Sequence, residues 1–449
     1  MDSTTLQKKY GLPTAIALVV GVVIGSGVFF KAESVLNATG GDVRSGIAAW
    51  LIVGLVMIIC TNTFSVLASH YERANGLVDY AQIEVGSVYS YCLGWFMATV
   101  YYPSLTAILG WVSARYLCVL LGVEDVLGGM ALLCASVFLV LLFATNALAP
   151  LIAGKFQVAT TIIKLIPLAG MAILGLVKGV STGMLERNFN AVSSSTGGSG
   201  LLAAVIAVAF AYEGWIIAVS INGELKNAKR NMPLALTIGS LVIVVIYMFY
   251  YIGLTGAVTT DALMESGQAG ALMAFETVFG NGVGTLVFVL LIISCVSTCN
   301  GLTVANCRGL YALAARGHLP ERFAELDKYS NMPMTSSIFS LIFSFFWLFH
   351  FYGANVSWFP GVFCFDSSEI PIITLYAFYI PIFVMMMKKE TQWGKFSRFV
   401  LPGLALCGCV FMVVSCAIVH RATMLGYLAI FAVDMLIALA IFFRRKNKM

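Results

Sequence analysis

The sequence predicts an all-α membrane protein with about twelve transmembrane helices. Of its 449 residues, 60% are hydrophobic and only 10% are charged, and the mean hydropathy is +0.93. Soluble domains carry about 25% charged residues, so a water-soluble globular protein is excluded. Long apolar segments also follow one another along the whole chain, and Lys and Arg are concentrated in alternate connections between them.

The apolar segments are long enough to cross a bilayer as helices, which need about 20 residues each. Helices are expected because lipid offers no hydrogen-bond partner to an open strand edge. In chain order, the twelve predicted spans cover residues 14–30, 46–70, 88–117, 127–148, 151–178, 200–221, 233–258, 275–304, 335–352, 357–387, 398–418 and 423–443.

The distribution of cationic residues predicts the orientation. Nineteen of the 26 Lys and Arg fall on the side that carries both termini; six, Lys31 among them, fall on the other side, and Lys164 lies inside a span. Cytoplasmic loops carry the excess of positive charge, so we expect a multi-pass protein of the cell membrane with cytoplasmic N- and C-termini. The first apolar segment continues without a cleavage site, so no cleavable signal peptide is expected.

Several classes of protein lack support in the sequence. Eleven Cys form no CxxC pair and four His form no HExxH motif, so no metal site, disulfide framework or cofactor is expected. The basic tail RRKNK is typical of a membrane-surface anchor, and no nucleic-acid partner is expected. A membrane enzyme would need a nucleophile–base pair, and a channel would need a ring of like residues along a continuous pore.

The first span contains Gly21, Gly25, Ser26 and Gly27 at mid-depth. Each Gly costs about 1 kcal/mol in a helix interior, so this cluster predicts either local unwinding or very close helix packing. The spacing of Gly21 and Gly25 matches the GxxxG packing motif, which keeps the second interpretation open.

The sixth span has a similar interruption at Phe210-Ala211-Tyr212-Glu213-Gly214-Trp215. Spans one and six occupy equivalent positions in two five-helix halves, and paired broken helices of this kind indicate a transporter site. Unwinding exposes N–H groups at one half-helix and C=O groups at the other, which suit a carboxylate and an ammonium. The predicted ligand is therefore a small zwitterion such as an α-amino acid.

Four motifs in this order resemble the amino acid–polyamine–organocation (APC) superfamily, and most of all its L-type amino acid transporter branch. They are GVVIGSGVF, YPSLTAILGWVSARYL, FAYEGW with the following NGELKNAKRNMP, and STCNGLTVANCRGLYALAARGHLP. The resemblance implies a five-plus-five inverted-repeat fold with two further C-terminal helices. Residues 1–180 would form the first repeat, 181–390 the second, and 391–449 the last two spans and a short tail.

The resemblance also implies roles for individual residues. Ser26 and Gly27 would bind the substrate carboxylate, and the carbonyls of Val23, Ile24, Phe210 and Glu213 would bind its amine. Phe210 would also act as an aromatic gate. The side-chain pocket would be bordered by Tyr102, Ser104, Asn300 and Leu302.

Lys164 is a lone ammonium among Ile and Leu in span five, in TTIIKLIPLAG. Such a group must pair with carbonyls or lose its proton, unless it snorkels to the surface. In the family this Lys replaces a coupling ion, which here implies a contact with span one near Gly21 and Val22.

Asp366 and Glu369 are two acids that the family pattern does not predict. Their separation of three residues places them on one face of a helix, if span ten is helical there. They could attract a cationic substrate side chain, couple transport to protons, or lie at a water-exposed helix break near Pro360 and Pro371.

The resulting prediction is a sodium-independent exchanger of L-amino acids, with small neutral ones favoured, that works by alternating access. Proton-coupled symport, or antiport of cationic amino acids or polyamines through Asp366 and Glu369, remains an alternative. Besides the amino acid and membrane lipid, no obligatory glycoprotein subunit is expected, since the loop at Cys118 lacks the context seen in heteromeric relatives. A monomer or a homodimer is expected.

Overall fold

The chain was analysed as a computed structural model, which describes residues 11–71, 76–191, 197–218 and 225–446. Within these ranges the ordered elements are helices joined by short turns. The α-helices are α1 Leu12–Val23, α2 Gly27–Thr39, α3 Val43–His70, α4 Leu77–Glu84, α5 Ser87–Phe96, α6 Tyr102–Leu120, α7 Gly129–Leu148, α8 Pro150–Ile163, α9 Leu165–Gly170, α10 Leu176–Ser181, α11 Met184–Asn190, α12 Gly197–Ala211, α13 Trp215–Ala218, α14 Ala228–Ala257, α15 Thr260–Ser266, α16 Ala269–Phe279, α17 Asn281–Ala315, α18 Met334–Asn355, α19 Ile370–Lys389, α20 Leu401–Val419 and α21 Met424–Lys446.

Ten helices in the described ranges are long and apolar enough to cross a membrane, and they correspond to predicted spans two to four and six to twelve. A π-helical turn, Met97–Tyr101, joins α5 to α6 within span three. The two remaining predicted spans are interrupted. Span one is divided between α1 and α2, and span five is divided at Lys164 between α8 and α9. The all-α, multi-pass membrane architecture predicted from the sequence is confirmed.

The predicted start of span ten is wrong. The helix α19 begins only at Ile370, and the preceding residues form a short 3-10 turn at Gly361–Phe363 followed by irregular backbone. Pro371 lies in the first turn of α19, where its missing N–H costs no helical hydrogen bond. Asp366 and Glu369 therefore lie in a turn before the helix and do not share a helical face.

The predicted start of span eight is also too early. Residues Ala269–Phe279 form the separate helix α16, and α17 begins at Asn281. Gly280 between them has φ +82°, a left-handed conformation that non-Gly residues rarely adopt. The change of direction therefore depends on this glycine.

Spans five and seven pack with their backbones in direct contact. A Cβ added at Gly175 would lie 2.5 Å from the carbonyl oxygen of Gly253, and one at Gly179 would lie 2.7 Å from the Cα of Gly256. Small residues permit this close approach between transmembrane helices. No side chain separates the two helices along this strip.

Candidate functional site

Span one is broken at the predicted position. The helix α1 ends at Val23, Ile24 has extended backbone with ψ 103°, and α2 begins at Gly27. Ser26 is the N-cap of α2, but its hydroxyl makes no capping bond, and no acidic residue lies in the first turn. The first N–H groups of α2 therefore remain available to an anion.

The glycines of the break also allow close packing, so both interpretations of this cluster apply. A Cβ at Gly25 would lie 2.5 Å from the side chain of Thr298 in α17. A Cβ at Gly27 would lie 2.6 Å from the Cα of Ala211, the last residue of α12. The break in span one thus touches the interruption of span six.

The helix of span six is interrupted after Ala211. Tyr212–Gly214 form a turn, and the short helix α13 follows at Trp215. Gly214 has φ +106°, which a residue with a side chain would adopt only with strain. The sequence Glu-Gly at this depth is therefore what allows the helix to break.

A cavity of about 540 Å³ lies between the two breaks. This volume is in the range of small-molecule sites, and most of the lining is apolar. The lining residues come from α1, α2, α6, α8, the α8–α9 junction, α12, α13 and α17 and from both breaks: Thr14, Ala17, Gly21, Val23, Gly25, Ser26, Gly27, Leu105, Leu109, Gln157, Lys164, Phe210, Ala211, Glu213, Gly214, Ile217, Thr298, Gly301, Leu302 and Val304.

Glu213 brings a buried carboxyl group to the cavity wall, with 7% of its surface exposed. The hydroxyl of Tyr101 donates a hydrogen bond of 2.5 Å to its Oε1. The carbonyl of Phe210 already accepts the N–H of Glu213 at 3.3 Å, within the turn. The break in span six thus places the hydrogen-bonded carboxyl group of Glu213 and the aromatic ring of Phe210 at the same wall of the cavity.

Lys164 lies at the turn between α8 and α9, and it is 1% exposed. Its Nζ donates to the carbonyl oxygen of Gly21 at 3.5 Å, which ties span five to α1. The contact involves one of the two predicted positions in span one. The side chain of Val22, the other position, lies outside the described part of the structure.

The structure places several predicted pocket residues away from the cavity lining. On α6 the lining residues are Leu105 and Leu109, whereas the Ser104 hydroxyl donates to the Tyr101 carbonyl at 3.1 Å. Tyr102 does not line the cavity either.

Asn300 on α17 lies on a different face from the lining residue Leu302. Its amide accepts from Asn146 at 2.8 Å and donates to the Ala153 carbonyl at 3.2 Å. Asn300 therefore joins α17 to α7 and α8 instead of facing the cavity.

Val23 and Ile24, whose carbonyls were predicted to bind the substrate amine, differ in their position relative to the cavity. The carbonyl of Val23 accepts the hydroxyl of Tyr247 at 2.9 Å, so one of its two lone pairs is already used. Ile24 is fully buried outside the lining.

The cavity is closed at one end and approaches the surface at the other. Phe210 meets Phe30 edge to face at 6.0 Å between ring centroids, and the Nζ of Lys31 lies 5.6 Å from the Phe210 centroid. At the opposite end the lining includes Thr14 and Ala17 of α1, which are exposed. Among the described residues, the access path therefore leads toward the N-terminal end of α1.

Lys31 is buried, which corrects its assignment to the loops on the outer side. Its Nζ donates to Glu369 Oε1 at 2.7 Å and to the Ser368 hydroxyl at 3.0 Å. The second oxygen of Glu369 lies 3.0 Å from His420 Nε2, between α20 and α21. Burial alone would lower the pKa of His420, but the hydrogen bond and charge of Glu369 outweigh it and raise that pKa.

This ion cluster, Lys31–Glu369–His420, was missed by sequence reasoning. Neither Asp366 nor Glu369 lines the cavity, and Glu369 is already bonded to Lys31 and His420. The available signal was that ionisable groups near mid-membrane segments usually pair with one another. That rule would have linked the unexpected acid to the nearest unexplained lysine.

Known proteins are similar to this chain over most of its length. The amino acid permease family matches residues 10–443. The serine/threonine exchanger SteT of Bacillus subtilis is 29% identical over 92% of this chain and 91% of its own length. The human b(0,+)-type amino acid transporter 1 is 26% identical over 75% of this chain and 69% of its own, and the human cystine/glutamate transporter is 22% identical over 75% and 67%. With two broken helices around one cavity and a family match over nearly its whole length, this chain belongs to the amino acid permease family of the APC superfamily and is a transporter of amino acids, not an enzyme.

Proposed function

We propose that the protein is an exchanger of L-amino acids that works by alternating access, without sodium, and favours small neutral substrates. The single observation that carries the proposal is the meeting of both helix breaks at one cavity, where Gly27 lies against Ala211. The names of the relatives support exchange as the mode of transport, since SteT is a serine/threonine exchanger.

The substrate carboxylate would bind at the N-terminus of α2, at Ser26 and Gly27. Free N–H groups and the positive end of the helix dipole favour an anion there. The ammonium would bind at the carbonyl groups of the two breaks, with Phe210 and Glu213, which line the cavity, as partners. The Val23 carbonyl would contribute its remaining lone pair, because Tyr247 already uses the other.

The side chain of the substrate would lie against the apolar wall formed by Leu105, Leu109 and Leu302. This wall supports small neutral substrates, because an apolar surface offers no partner to a charged side chain. Antiport of cationic amino acids or polyamines receives no support from Glu369, which lies outside the lining and is paired with Lys31.

Lys164 would take the place of a coupling cation. Its ammonium reaches the Gly21 carbonyl, close to the broken end of α1. A fixed positive charge at the carbonyl end of α1 would remove the need for a sodium ion there.

The cluster Lys31–Glu369–His420 would hold the other end of the pathway closed. It joins α2, the turn before α19 and the α20–α21 loop directly above Phe210. In the proposed orientation, with both termini in the cytoplasm of the cell, this is the outer end. Residues 1–180 and 181–390 would act as the two repeats, with 391–449 as accessory spans, and the chain would work without a glycoprotein subunit.

Efflux of labelled L-serine from proteoliposomes tests this proposal. Purified protein is reconstituted, and efflux is followed with and without external amino acid, with choline replacing sodium, and across an imposed pH gradient. We expect efflux only when external amino acid is present, with no effect of sodium. Efflux that needs no external substrate would overturn exchange.

Proton-coupled symport is the second candidate, and the buried carboxyl of Glu213 at the cavity wall favours it. In the same assay it predicts uptake driven by the pH gradient alone, abolished by Glu213→Gln. The binding site itself is tested by Ser26→Leu, which should block the carboxylate position. Ser136→Leu is the matched control, because the Ser136 hydroxyl bonds only to the backbone of its own helix α7. Equal uptake by both variants would remove span one from the site.

A further inference from the structure

A second large cavity lies far from the substrate site, at the end of the bundle that carries the C-terminus of α21. Its volume is about 710 Å³. It lies between α5, α17, the connection after α17, α18 and α21, and it shares no lining residue with the central cavity. The lining residues are Trp95, Leu310, Leu319, Pro320, Phe323, Phe339, Phe343, Ile441, Arg444 and Arg445.

The walls of this cavity are apolar. Phe323 and Phe339 contact each other at 5.1 Å between ring centroids, and Phe339 is 42% exposed on the lipid-facing surface of α18. The only N–H group on an aromatic wall residue, that of Trp95, donates to Asp434 at 2.9 Å, which leaves the indole face apolar. Such a surface, open to the bilayer, suits an acyl chain.

The mouth of the cavity is positively charged. Arg444 and Arg445 belong to the last turns of α21, and both line the cavity. Within the described part of the chain, neither guanidinium forms an ion pair or a hydrogen bond to another residue. Guanidinium groups bind phosphate through parallel N–H bonds, and two unpaired ones beside an apolar cavity match a lipid phosphodiester.

The combined charges select an anionic lipid over a zwitterionic one. A choline or ethanolamine headgroup would bring its own cation next to the two arginines, whereas a glycerol headgroup would not. A small soluble phosphate would use the arginines and leave the apolar walls in contact with lipid or water. Basic pockets between transmembrane helices at the cytoplasmic side are known positions for anionic headgroups.

We propose that this cavity binds an anionic phospholipid, with the phosphate at Arg444 and Arg445 and an acyl chain along Phe323, Phe339 and Ile441. The proposal does not depend on which amino acid is transported. It places the lipid against Trp95 and α5, which the π-helical turn Met97–Tyr101 connects to the helix that carries Leu105 and Leu109.

Lipid retention by the purified full-length protein tests this site. Dioleoyl phosphatidylglycerol and dioleoyl phosphatidylcholine are offered in equal amounts in detergent, and the bound lipid is counted by native mass spectrometry. We expect preferential retention of phosphatidylglycerol, and we expect this preference to be lost in the double variant Arg444→Gln/Arg445→Gln, which removes both phosphate-binding guanidinium groups.

The double variant Lys388→Gln/Lys395→Gln is the matched control. It removes the same charge from exposed side chains at the same end of the bundle, and neither lysine lines the cavity. Retention should stay at the wild-type level. Equal losses in the two double variants would mean diffuse surface attraction and would overturn a specific site.

A third variant tests the apolar part with both arginines intact. Ile441→Trp should fill part of the cavity and reduce phosphatidylglycerol retention, while unchanged retention would mean that the cavity does not hold the chain. Glycerol 1-phosphate, the headgroup alone, should not compete with the lipid. Competition by it, or equal retention of the two lipids, would also overturn the proposal.

Discussion

Adding one methyl group at the contact between the two broken helices should disable the transporter. In Gly27→Ala the new Cβ would lie 2.6 Å from the Cα of Ala211, where ordinary contacts begin at 3.4 Å. The neighbouring atom is backbone, so a side-chain rotation cannot relieve the overlap, and α2 and α12 must separate by about 0.8 Å. Overpacking of this kind costs about 1–3 kcal/mol.

That cost applies to the arrangement in which both breaks line the cavity. If substrate binding needs this arrangement, about 1–3 kcal/mol corresponds to a loss of roughly fivefold to 150-fold in apparent affinity. The measurements are L-serine exchange in proteoliposomes and thermal unfolding in detergent. We expect slower exchange and a lower melting temperature.

The control is Gly154→Ala, at an exposed position inside α8 with no atom within 4 Å of the added methyl. This variant should gain up to about 1 kcal/mol from helix propensity and exchange substrate normally. Wild-type exchange and stability in Gly27→Ala would refute the close contact between the breaks, and with it the shared site.

Three further predictions concern charged groups. Lys164→Met should reduce exchange at least about tenfold without lowering the melting temperature, because the hydrogen bond to the Gly21 carbonyl is long and the substitution also removes the desolvation cost of a buried charge; the exposed Lys155→Met on α8 should change neither, and parallel losses in the two variants would argue against a site role. The raised pKa of His420 means that the cluster contributes stability fully below the ordinary His pKa of about 6.5, and loses it as pH rises through the raised value; melting curves between pH 5.5 and 8.5 should show this step in the wild type and lack it in His420→Gln. Burial and the negative charge of Glu390 raise the pKa of Glu84 in the folded protein. Ionisation of Glu84 therefore destabilises the folded state as pH rises from the ordinary pKa of a Glu to the raised value, and Glu84→Gln should be more stable than the wild type at pH 8. A variant whose stability has the same pH dependence as the wild type would show that the two carboxyl groups do not interact.

The features that were predictable from the sequence depend on local composition. The break in span one follows from three glycines and a serine within seven residues, and the structure ends α1 at Val23 and starts α2 at Gly27. Lys164 was recognisable because it is the only charged residue between Lys155 and Lys178, so a contact with another helix is expected. In both cases the unfavourable free energy, of glycine inside a helix or of an ammonium group in lipid, can be recognised without knowing the fold.

The features that were not predictable depend on long-range pairing and register. Lys31 and Glu369 are 338 positions apart, so no local pattern identifies their contact. On span three, the π-helical turn Met97–Tyr101 changes the helical register just before the site. The family resemblance placed Ser104 at the pocket, whereas the structure presents Leu105 to the cavity.

The glycine strip between spans five and seven has a mechanical consequence. Because the backbones of spans five and seven are in direct contact at Gly175 and Gly253, the two helices cannot slide past each other there. They should therefore move together when the transporter changes conformation. At the N-terminal end of that strip, span five contains the π-helical turn Met171–Gly175, and the short helix α9 connects this turn to Lys164. A movement of the two packed helices would therefore reach Lys164 through α9, and Lys164 in turn contacts α1 at the Gly21 carbonyl.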